Sequence, residues 1–249
     1  MTDETILKSR RRSAGTYHQA MTLCPDARRF ELQYPVALAA PKEGEVLVDF
    51  PSAGAYIAPY LHALAPTAIY HAVEHTPEYE AAGLDVTAGT WQKLNFADGS
   101  VDMVLCLAAL HHVYPGRPLF YKECNRMFRS GGRLIIGDVA EGTNADHFLS
   151  EFVDRHSPEG HVARFFREDL DVAEIESAGL RVTHWEIRDF RWVYPDRQTG
   201  IDFCRGLFRL GEATDETIWT GLNDYLGLHE TDAGWEMGWQ LAFIRADKV

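Results

Sequence analysis

Two carboxylate side chains stand at the ends of short apolar runs that we predict to be buried β-strands. Asp49 lies near the end of the run Val46 to Phe50, and Glu74 ends the run Ala68 to Glu74. A carboxylate accepts two hydrogen bonds from a vicinal diol without a proton of its own. Because Glu74 follows the first small-residue turn by about twenty residues, it is a candidate ligand for ribose hydroxyl groups.

Histidines supply the candidates for proton transfer and for lining a substrate pocket. His111 and His112 follow the apolar run Met103 to Leu107, and His161 lies in the later segment GHVARFF. His111 is the candidate catalytic residue, and a general base typically adds about 10²- to 10⁴-fold to a rate. The histidines of residues 147–161 have neither H-x-x-x-H nor H-E-x-x-H spacing, so we expect no metal site there.

The element that must position Asp49 is a strand followed by a turn of small residues and a helix. The turn is residues 52–55 (SAGA), and apolar residues then recur at helical spacing from Tyr56 to Leu64. This order of elements brings backbone close to a nucleotide-like ligand in a doubly wound α/β domain. The candidate contacts from this turn are Asp49, Pro51, Ser52, Ala53 and Gly54.

The most specific motifs lie between residues 94 and 138. Residues 94–102 (LNFADGSVD) resemble the L-P-F-x-D-x-S-F-D motif of class I S-adenosylmethionine-dependent methyltransferases, and residues 110–112 (LHH) match the L-H-H that follows it. Residues 123–138 resemble the family's E-x-x-R-V-L-K-P-G-G-x-L-x-I-x-D through Glu123, Arg126, Gly131, Gly132 and Asp138. In order and spacing the chain is similar to the small-molecule, type 11-like members of that family.

Two motifs depart from the family pattern. Where the family has V-L-D-x-G-x-G-x-G, this chain has Pro51, Ala53 and Ala55 at the three glycine positions. Glycine permits positive φ and close backbone approach, whereas proline fixes φ and removes a donor. Thr90 replaces the acid of the family's G-D dipeptide, and Trp91 follows it. By this resemblance Thr90 would accept a hydrogen bond at the adenine and Trp91 would stack on its ring.

The resemblance implies an α/β fold, namely a Rossmann-like, doubly wound, seven-stranded sheet with an antiparallel last strand and a helical lid insertion. We expect an N-terminal helical cap at residues 1–44, a methyltransferase core at residues 45–188 and 235–249, and the lid at residues 189–234. The implied cofactor is S-adenosyl-L-methionine, with S-adenosyl-L-homocysteine as product. Two further cofactor contacts are His75 and Leu107, and the expected substrate contacts are Tyr17, His112, His161, Arg164 and Trp192.

Composition limits the classes of partner. The formal net charge is −13, and so acidic a surface repels the phosphate backbone of a nucleic acid. No apolar run approaches the ~20 residues that span a bilayer, and the four cysteines form no C-x-x-C pair. We therefore expect a cytoplasmic protein that acts on a small molecule without nucleic acid or membrane, and that is a monomer or a homodimer.

The function that these patterns favour is methyl transfer by in-line displacement to a small, partly apolar metabolite (EC 2.1.1.-). The sequence leaves open whether the accepting atom is oxygen, nitrogen or carbon. The replaced glycines favour an alternative of another class, a methyltransferase-fold protein that serves another reaction or binding. A nicotinamide-dependent oxidoreductase is a weaker alternative, because it would need a better glycine turn and a hydride-transfer pair such as Tyr-Lys.

Overall fold

The computed structural model describes residues 16–75 and 86–249 and shows an α/β chain. Its contacts divide the chain into two compact units. Within the described ranges, the larger unit contains residues 32–141, 163–188 and 241–249, and the smaller unit contains residues 16–31, 142–162 and 189–240. No helix within the described ranges has the length and hydrophobicity needed to cross a membrane.

The described strands form one mixed sheet. Their bounds are β1 (Val46–Asp49), β2 (Ile69–Glu74), β3 (Thr87–Ala88), β4 (Val101–Leu107), β5 (Phe128–Asp138), β6 (Leu180–Tyr194), β7 (Leu228–Thr231) and β8 (Gly234–Lys248). The strand order is β3-β2-β1-β4-β5-β8-β6, and β7 pairs with β8. Strands β1, β2, β4 and β5 are parallel, whereas β8 is antiparallel to β5. The predicted doubly wound sheet with an antiparallel last strand is confirmed.

Helices connect these strands. Helical backbone begins the described chain at residues 16–23 (α1), and the later helices are α2 (Arg29–Ala39), α3 (Ala58–Leu64), α4 (Arg117–Met127), α5 (Asn144–His147), α6 (Asp154–His156), α7 (Glu168–Ser177), α8 (Arg197–Phe208) and α9 (Asp215–Leu226). A 3₁₀ turn covers Leu110–His112, and a π-helical stretch, Phe148–Val153, joins α5 to α6. Asp196 and Thr214 cap α8 and α9 through their side-chain oxygens.

The central strands of the larger unit are buried on both faces. Leu47 and Val48 of β1 point to opposite faces, as do Val104 and Leu105 of β4, and all four are fully buried. Strands covered on both faces read as continuous apolar runs rather than as alternating patterns. This is why the short runs in the sequence predicted their positions to within a few residues.

Several bounds differ from the sequence prediction. An additional short strand, β7, lies inside the expected helical lid, and β6 continues to Tyr194 instead of ending near Arg188. Helix α4 ends at Met127 and passes directly into the extended Phe128, so the motif glycines Gly131 and Gly132 lie in β5. The predicted third strand began at Leu84, but residues 76–85 lie outside the described chain.

The division into units also differs from the expected domains. Residues 189–234 belong to the smaller unit as a block, together with residues 142–162, which the sequence analysis had assigned to the core. The expected cap at residues 1–44 is divided, because residues 32–44 belong to the larger unit. Its residues 1–15 lie outside the described chain.

Candidate active site

The turn after β1 has the backbone course of a glycine turn although it contains two alanines. Ala53 and Ala55 have φ of 47° and 60°, and Gly54 between them has φ of 108°. The turn is tied back to the sheet by the amide of Ser52, which donates to the carbonyl of Val73 at 3.0 Å. L-residues are disfavoured in this region by about 1–2 kcal/mol each. The surrounding structure therefore holds a strained turn at the carboxyl end of β1.

Glu74 ends β2 beside this turn with only 2% of its surface exposed. Its Oε1 accepts a hydrogen bond from the Ser52 hydroxyl at 2.6 Å, whereas Oε2 has no hydrogen-bond partner among the described residues. Burial raises the pKa of Glu74 to about 7, although Ser52 and the amides of Ala53 and Gly54 oppose the rise. The unpaired Oε2 fits a ribose hydroxyl, so the residues present suit an adenosine-containing cofactor.

Asp49 is the second buried carboxylate of the site. Its Oδ2 accepts a hydrogen bond from the hydroxyl of Tyr70 at 2.5 Å. Burial raises the pKa of Asp49 to about 7, the Tyr70 hydrogen bond opposes this, and the charge of Glu74 adds to it. The role of Asp49 in cofactor binding stays a prediction, because the contact that the structure shows is to Tyr70.

The residues expected near the adenine lie after β3. Thr90 is exposed and closes a local turn, in which its hydroxyl oxygen accepts from the amide of Lys93 at 3.0 Å. Trp91 is buried in the core of the larger unit, with its ring 4.7 Å from that of Phe50 and 5.8 Å from that of His75. Packing against Phe50 accounts for the position of Trp91, so its stacking on adenine stays a prediction.

Pro51 and Leu107, the other two expected cofactor contacts, are half-buried at the carboxyl ends of their strands. Pro51 follows Phe50 through a cis peptide bond. The side chain of Leu107 lies at the end of β4, where it would contact a Cβ placed on Gly137. Ala108 follows Leu107 with φ of 51°, so a third strained alanine, after Ala53 and Ala55, lies at this edge of the sheet.

His111 and Asp138 form a buried pair at the ends of β4 and β5. Nδ1 of His111 lies 2.6 Å from Oδ1 of Asp138, and the amide of His111 donates to Oδ2 at 3.2 Å. Burial would raise the pKa of Asp138, but His111 and Arg117 hold it below its ordinary value. An ionised carboxylate at Nδ1 fixes the ring orientation and leaves Nε2 as the ring atom that takes up a proton.

A buried arginine holds the backbone around His111. The Nε of Arg117 donates to the carbonyl of Leu110 at 2.9 Å, and another guanidinium nitrogen donates to the carbonyl of Arg164. Asp171 neutralises the guanidinium at 2.7 Å, and the amide of Arg164 donates to the carbonyl of His111 at 2.9 Å. Arg117 therefore fixes the 3₁₀ turn from which the His111 ring projects.

The expected substrate contacts are divided between the units. Tyr17, His161 and Trp192 belong to the smaller unit, and His112 and Arg164 to the larger. Tyr17 accepts a hydrogen bond from Arg28 at 2.8 Å. Substrate binding by any of the five residues stays a prediction.

Several of these residues already have packing or ionic roles. Arg164 is paired with Asp171 and Glu174, each at 3.2 Å, and His112 is exposed beside His111, with ring centroids 4.0 Å apart. Trp192 is buried and donates through Nε1 to Glu31 at 2.7 Å. Ion pairing and core packing therefore explain the placement of Arg164 and Trp192 without a ligand.

The sequence analysis missed the partners of two site residues. Asp138 was noted for its match to a motif, and its contact with His111 was not foreseen. Parallel neighbours end at the same edge of a sheet, so an acid at the end of β5 had to lie near the end of β4. Tyr70 gave no comparable signal, because an aromatic residue in a buried strand more often packs than donates a hydrogen bond.

A doubly wound sheet of this order, with a small-residue turn after β1 and a buried acid at the end of β2, defines the class. It is the fold and cofactor edge of the class I S-adenosylmethionine-dependent methyltransferases. A family model described as a methyltransferase domain matches residues 54–136. Over those residues the chain is similar to that class, and S-adenosylmethionine is the cofactor that these findings support.

Relatives with assigned names support the same class. A phthiotriol/phenolphthiotriol dimycocerosates methyltransferase of Mycobacterium ulcerans is 29% identical over 123 residues, which is 46% of this chain and 47% of that protein. A malonyl-[acyl-carrier protein] O-methyltransferase of Herminiimonas arsenicoxydans is 26% identical over 74% of each chain. The chain thus spans about half the length of the first relative.

Solved structures show the same fold. A SAM-dependent methyltransferase from Thermotoga maritima superposes with a TM-score of 0.60, covering 96% of this chain and 98% of its own. Its sequence identity is 18%, so this likeness establishes the fold alone.

The strained turn predicts that a substitution by glycine stabilises the protein, although such substitutions usually destabilise. We expect Ala55→Gly to raise the free energy of unfolding by roughly 0.5–1 kcal/mol, because relief of the left-handed strain exceeds the conformational entropy that glycine loses on folding. The matched control is Ala173→Gly on the exposed face of α7, which should lower stability by about 1 kcal/mol. Urea denaturation measures both free energies of unfolding, and an equal decrease in the two variants would contradict the claim that the turn is strained.

The raised pKa values of Glu74 and Asp49 predict a pH dependence. The folded carboxyls keep protons that the unfolded chain releases near pH 4, so the ligand-free protein should lose stability as the pH rises from about 4 to about 7. Denaturation midpoints measured across this range check the sign. Glu74→Gln should flatten part of the slope, and an unchanged slope in that variant would contradict the role of Glu74.

Proposed function

We propose that this protein transfers the methyl group of S-adenosylmethionine to a hydroxyl oxygen of a small, partly apolar molecule. The observation that carries the proposal is the buried His111–Asp138 pair at the carboxyl edge of the sheet. A neutral amine attacks a methyl sulfonium without prior proton loss, whereas a hydroxyl gains from a base that takes its proton. A histidine oriented by an ionised carboxylate supplies that base.

When bound, S-adenosylmethionine would supply a methyl carbon on a positively charged sulfur, and the electron pair of the broken carbon–sulfur bond would stay with that sulfur in S-adenosylhomocysteine. Nε2 of His111 takes the proton of the acceptor's hydroxyl group as the hydroxyl oxygen bonds to the methyl carbon. Asp138 stabilises the imidazolium that results. Arg117 keeps the 3₁₀ turn in place during this step, since orientation alone can contribute on the order of 7–11 kcal/mol to a barrier.

Glu74 and the turn after β1 are the proposed means of holding the cofactor. Oε2 of Glu74 would accept from the ribose diol, while Ser52 keeps Oε1 in place. The turn residues Ala53 to Ala55 would bring their backbone close to the ligand, since their positive φ values reproduce the course that glycines give the family.

The nature of the acceptor is supported by the names of the relatives. One is named for phthiotriol and phenolphthiotriol dimycocerosates, and the other is named an O-methyltransferase, which supports oxygen as the accepting atom.

A second candidate function is binding or another reaction on the same fold without methyl transfer. The observation that favours it is the turn itself, in which the ring of Tyr56 lies against Gly54, within 2.6 Å of where a Cβ would stand. In this reading Tyr56 would narrow the approach to the turn. Cofactor binding separates the two candidates directly.

Calorimetric titration with S-adenosylhomocysteine tests the cofactor site. We expect micromolar binding by the wild type and an affinity at least about tenfold lower in Glu74→Gln, because the amide nitrogen cannot accept from the diol. The exposed Glu176→Gln is the matched control and should bind normally. Absence of binding by folded wild-type protein at millimolar ligand would favour the second candidate.

Substitution of His111 tests its proposed role as the general base. With an acceptor found by screening hydroxylated apolar compounds, His111→Asn should lower kcat about 10²- to 10⁴-fold. Its affinity for S-adenosylhomocysteine should remain unchanged. Asp138→Asn should alter the pH profile of kcat, because it removes the charge that orients the ring. The matched control is His62→Asn, at an exposed position on α3, which should leave the pH profile unchanged. Full kcat in His111→Asn would refute the assignment of the base.

A further inference from the structure

The smaller unit contains a cluster of five aromatic side chains. Its members, called the aromatic cluster below, are Phe148, Phe152, Trp192, Phe208 and Trp239. Ring centroids are 4.7 Å apart between Trp192 and Trp239, 5.7 Å between Phe208 and Trp239, and 5.1 Å between Phe148 and Phe208. The cluster is continuous, and its two indoles carry hydrogen-bond donors into an apolar environment.

The two indole N–H groups of the cluster differ. Nε1 of Trp192 donates to the carboxylate of Glu31 at 2.7 Å, and Arg28 pairs with that carboxylate. Nε1 of Trp239 is buried and has no hydrogen-bond partner among the described residues, and only 4% of the Trp239 surface is exposed. The sequence gives both positions the same residue type, but the fold provides an acceptor for one of them.

An unpaired buried donor requires an explanation, because it costs about 1–3 kcal/mol. A water molecule could satisfy it only with two or more polar partners, and the rings nearest to Trp239 belong to Trp192, Phe208 and Phe148. The neighbouring Gln240 is already engaged with Asn144 and Asp189. An acceptor brought by a ligand is the partner that fits these surroundings.

The local backbone supports a binding role for the aromatic cluster. Phe148 and Phe152 lie in the π-helical stretch Phe148–Val153, and such stretches are frequent at functional sites. Gly221 on α9 makes room for Phe152, since a Cβ there would stand 2.2 Å from its ring. Phe208 is half-buried and is the most exposed of the five members of the cluster.

We propose that Trp239 is a binding residue for an apolar ligand that carries a neutral oxygen acceptor, such as a ketone, ester or amide carbonyl. The ligand is neutral at that atom, because a carboxylate among aromatic rings without its own cation would be costly to bury, and Arg28 is already paired with Glu31. The proposal goes beyond the proposed function and can fail independently of it.

Two probes of similar size and shape test the inference, namely acetophenone, which has a carbonyl, and ethylbenzene, which lacks one. In ¹⁵N-labelled protein we expect acetophenone to shift the indole N–H resonance of Trp239 downfield. That resonance is identified by its proximity to the rings of Phe148 and Phe208. Acetophenone should bind about five- to tenfold more tightly than ethylbenzene, the difference expected of one hydrogen bond.

Two matched variants separate this role from packing. Trp239→Phe should abolish the preference for acetophenone and lower the melting temperature less than Trp192→Phe does, since both lose the same ring volume but only Trp192 loses a hydrogen bond. Trp192→Phe should keep the preference but lower the melting temperature, because Glu31 loses a partner. Equal binding of the two probes by wild type, or an unchanged preference in Trp239→Phe, would overturn the proposal.

To distinguish a failure of this inference from a failure of the proposed function, S-adenosylhomocysteine is titrated into the same samples. If it binds while neither probe shifts Trp239, the proposed methyl transfer stands and this inference is wrong. If acetophenone binds at Trp239 and the cofactor product does not bind, the aromatic site stands and the proposed function is wrong. Both readouts use the wild-type chain, so they remain valid if a variant fails to fold.

Discussion

The parallel register of four central strands is the constraint on which the candidate site depends. Asp49 of β1 lies opposite Ala72 of β2 and Leu105 of β4, and Leu107 of β4 lies opposite Gly137 of β5. Parallel strands in register end at one edge, so the groups that follow them meet there. A shift of one residue in any pair would exchange the two faces of the strand and disperse the site.

This edge holds buried carboxyl groups, and the effect of burial on the pKa is opposed by different partners in each case. Asp138 stays ionised because His111 and Arg117 oppose the effect of burial on its pKa. Glu74 and Asp49 have only neutral donors, so burial prevails and both carry raised pKa values. The first arrangement suits an orienting anion, and the second suits a site completed by a ligand that donates hydrogen bonds or carries positive charge.

The two tryptophans of the aromatic cluster show why residue type alone does not assign a role. Trp192 was one of the five expected substrate contacts; its ring is packed in the cluster and its N–H donates to Glu31. Trp239 lies in the run predicted as the last strand and drew no functional prediction. The difference is decided by which acceptors the fold places near each indole, and no local sequence pattern encodes that.

The sequence by itself determined the order and type of the elements, because buried strands between helices leave short apolar runs and turns of small residues. It also located Glu74 and His111 at strand ends, where spacing and motif agree. Only the tertiary structure decided their partners. Asp138 lies 27 residues from His111, and β5 brings it within 2.6 Å. Such pairings depend on strand register, which residues far apart in the sequence set together.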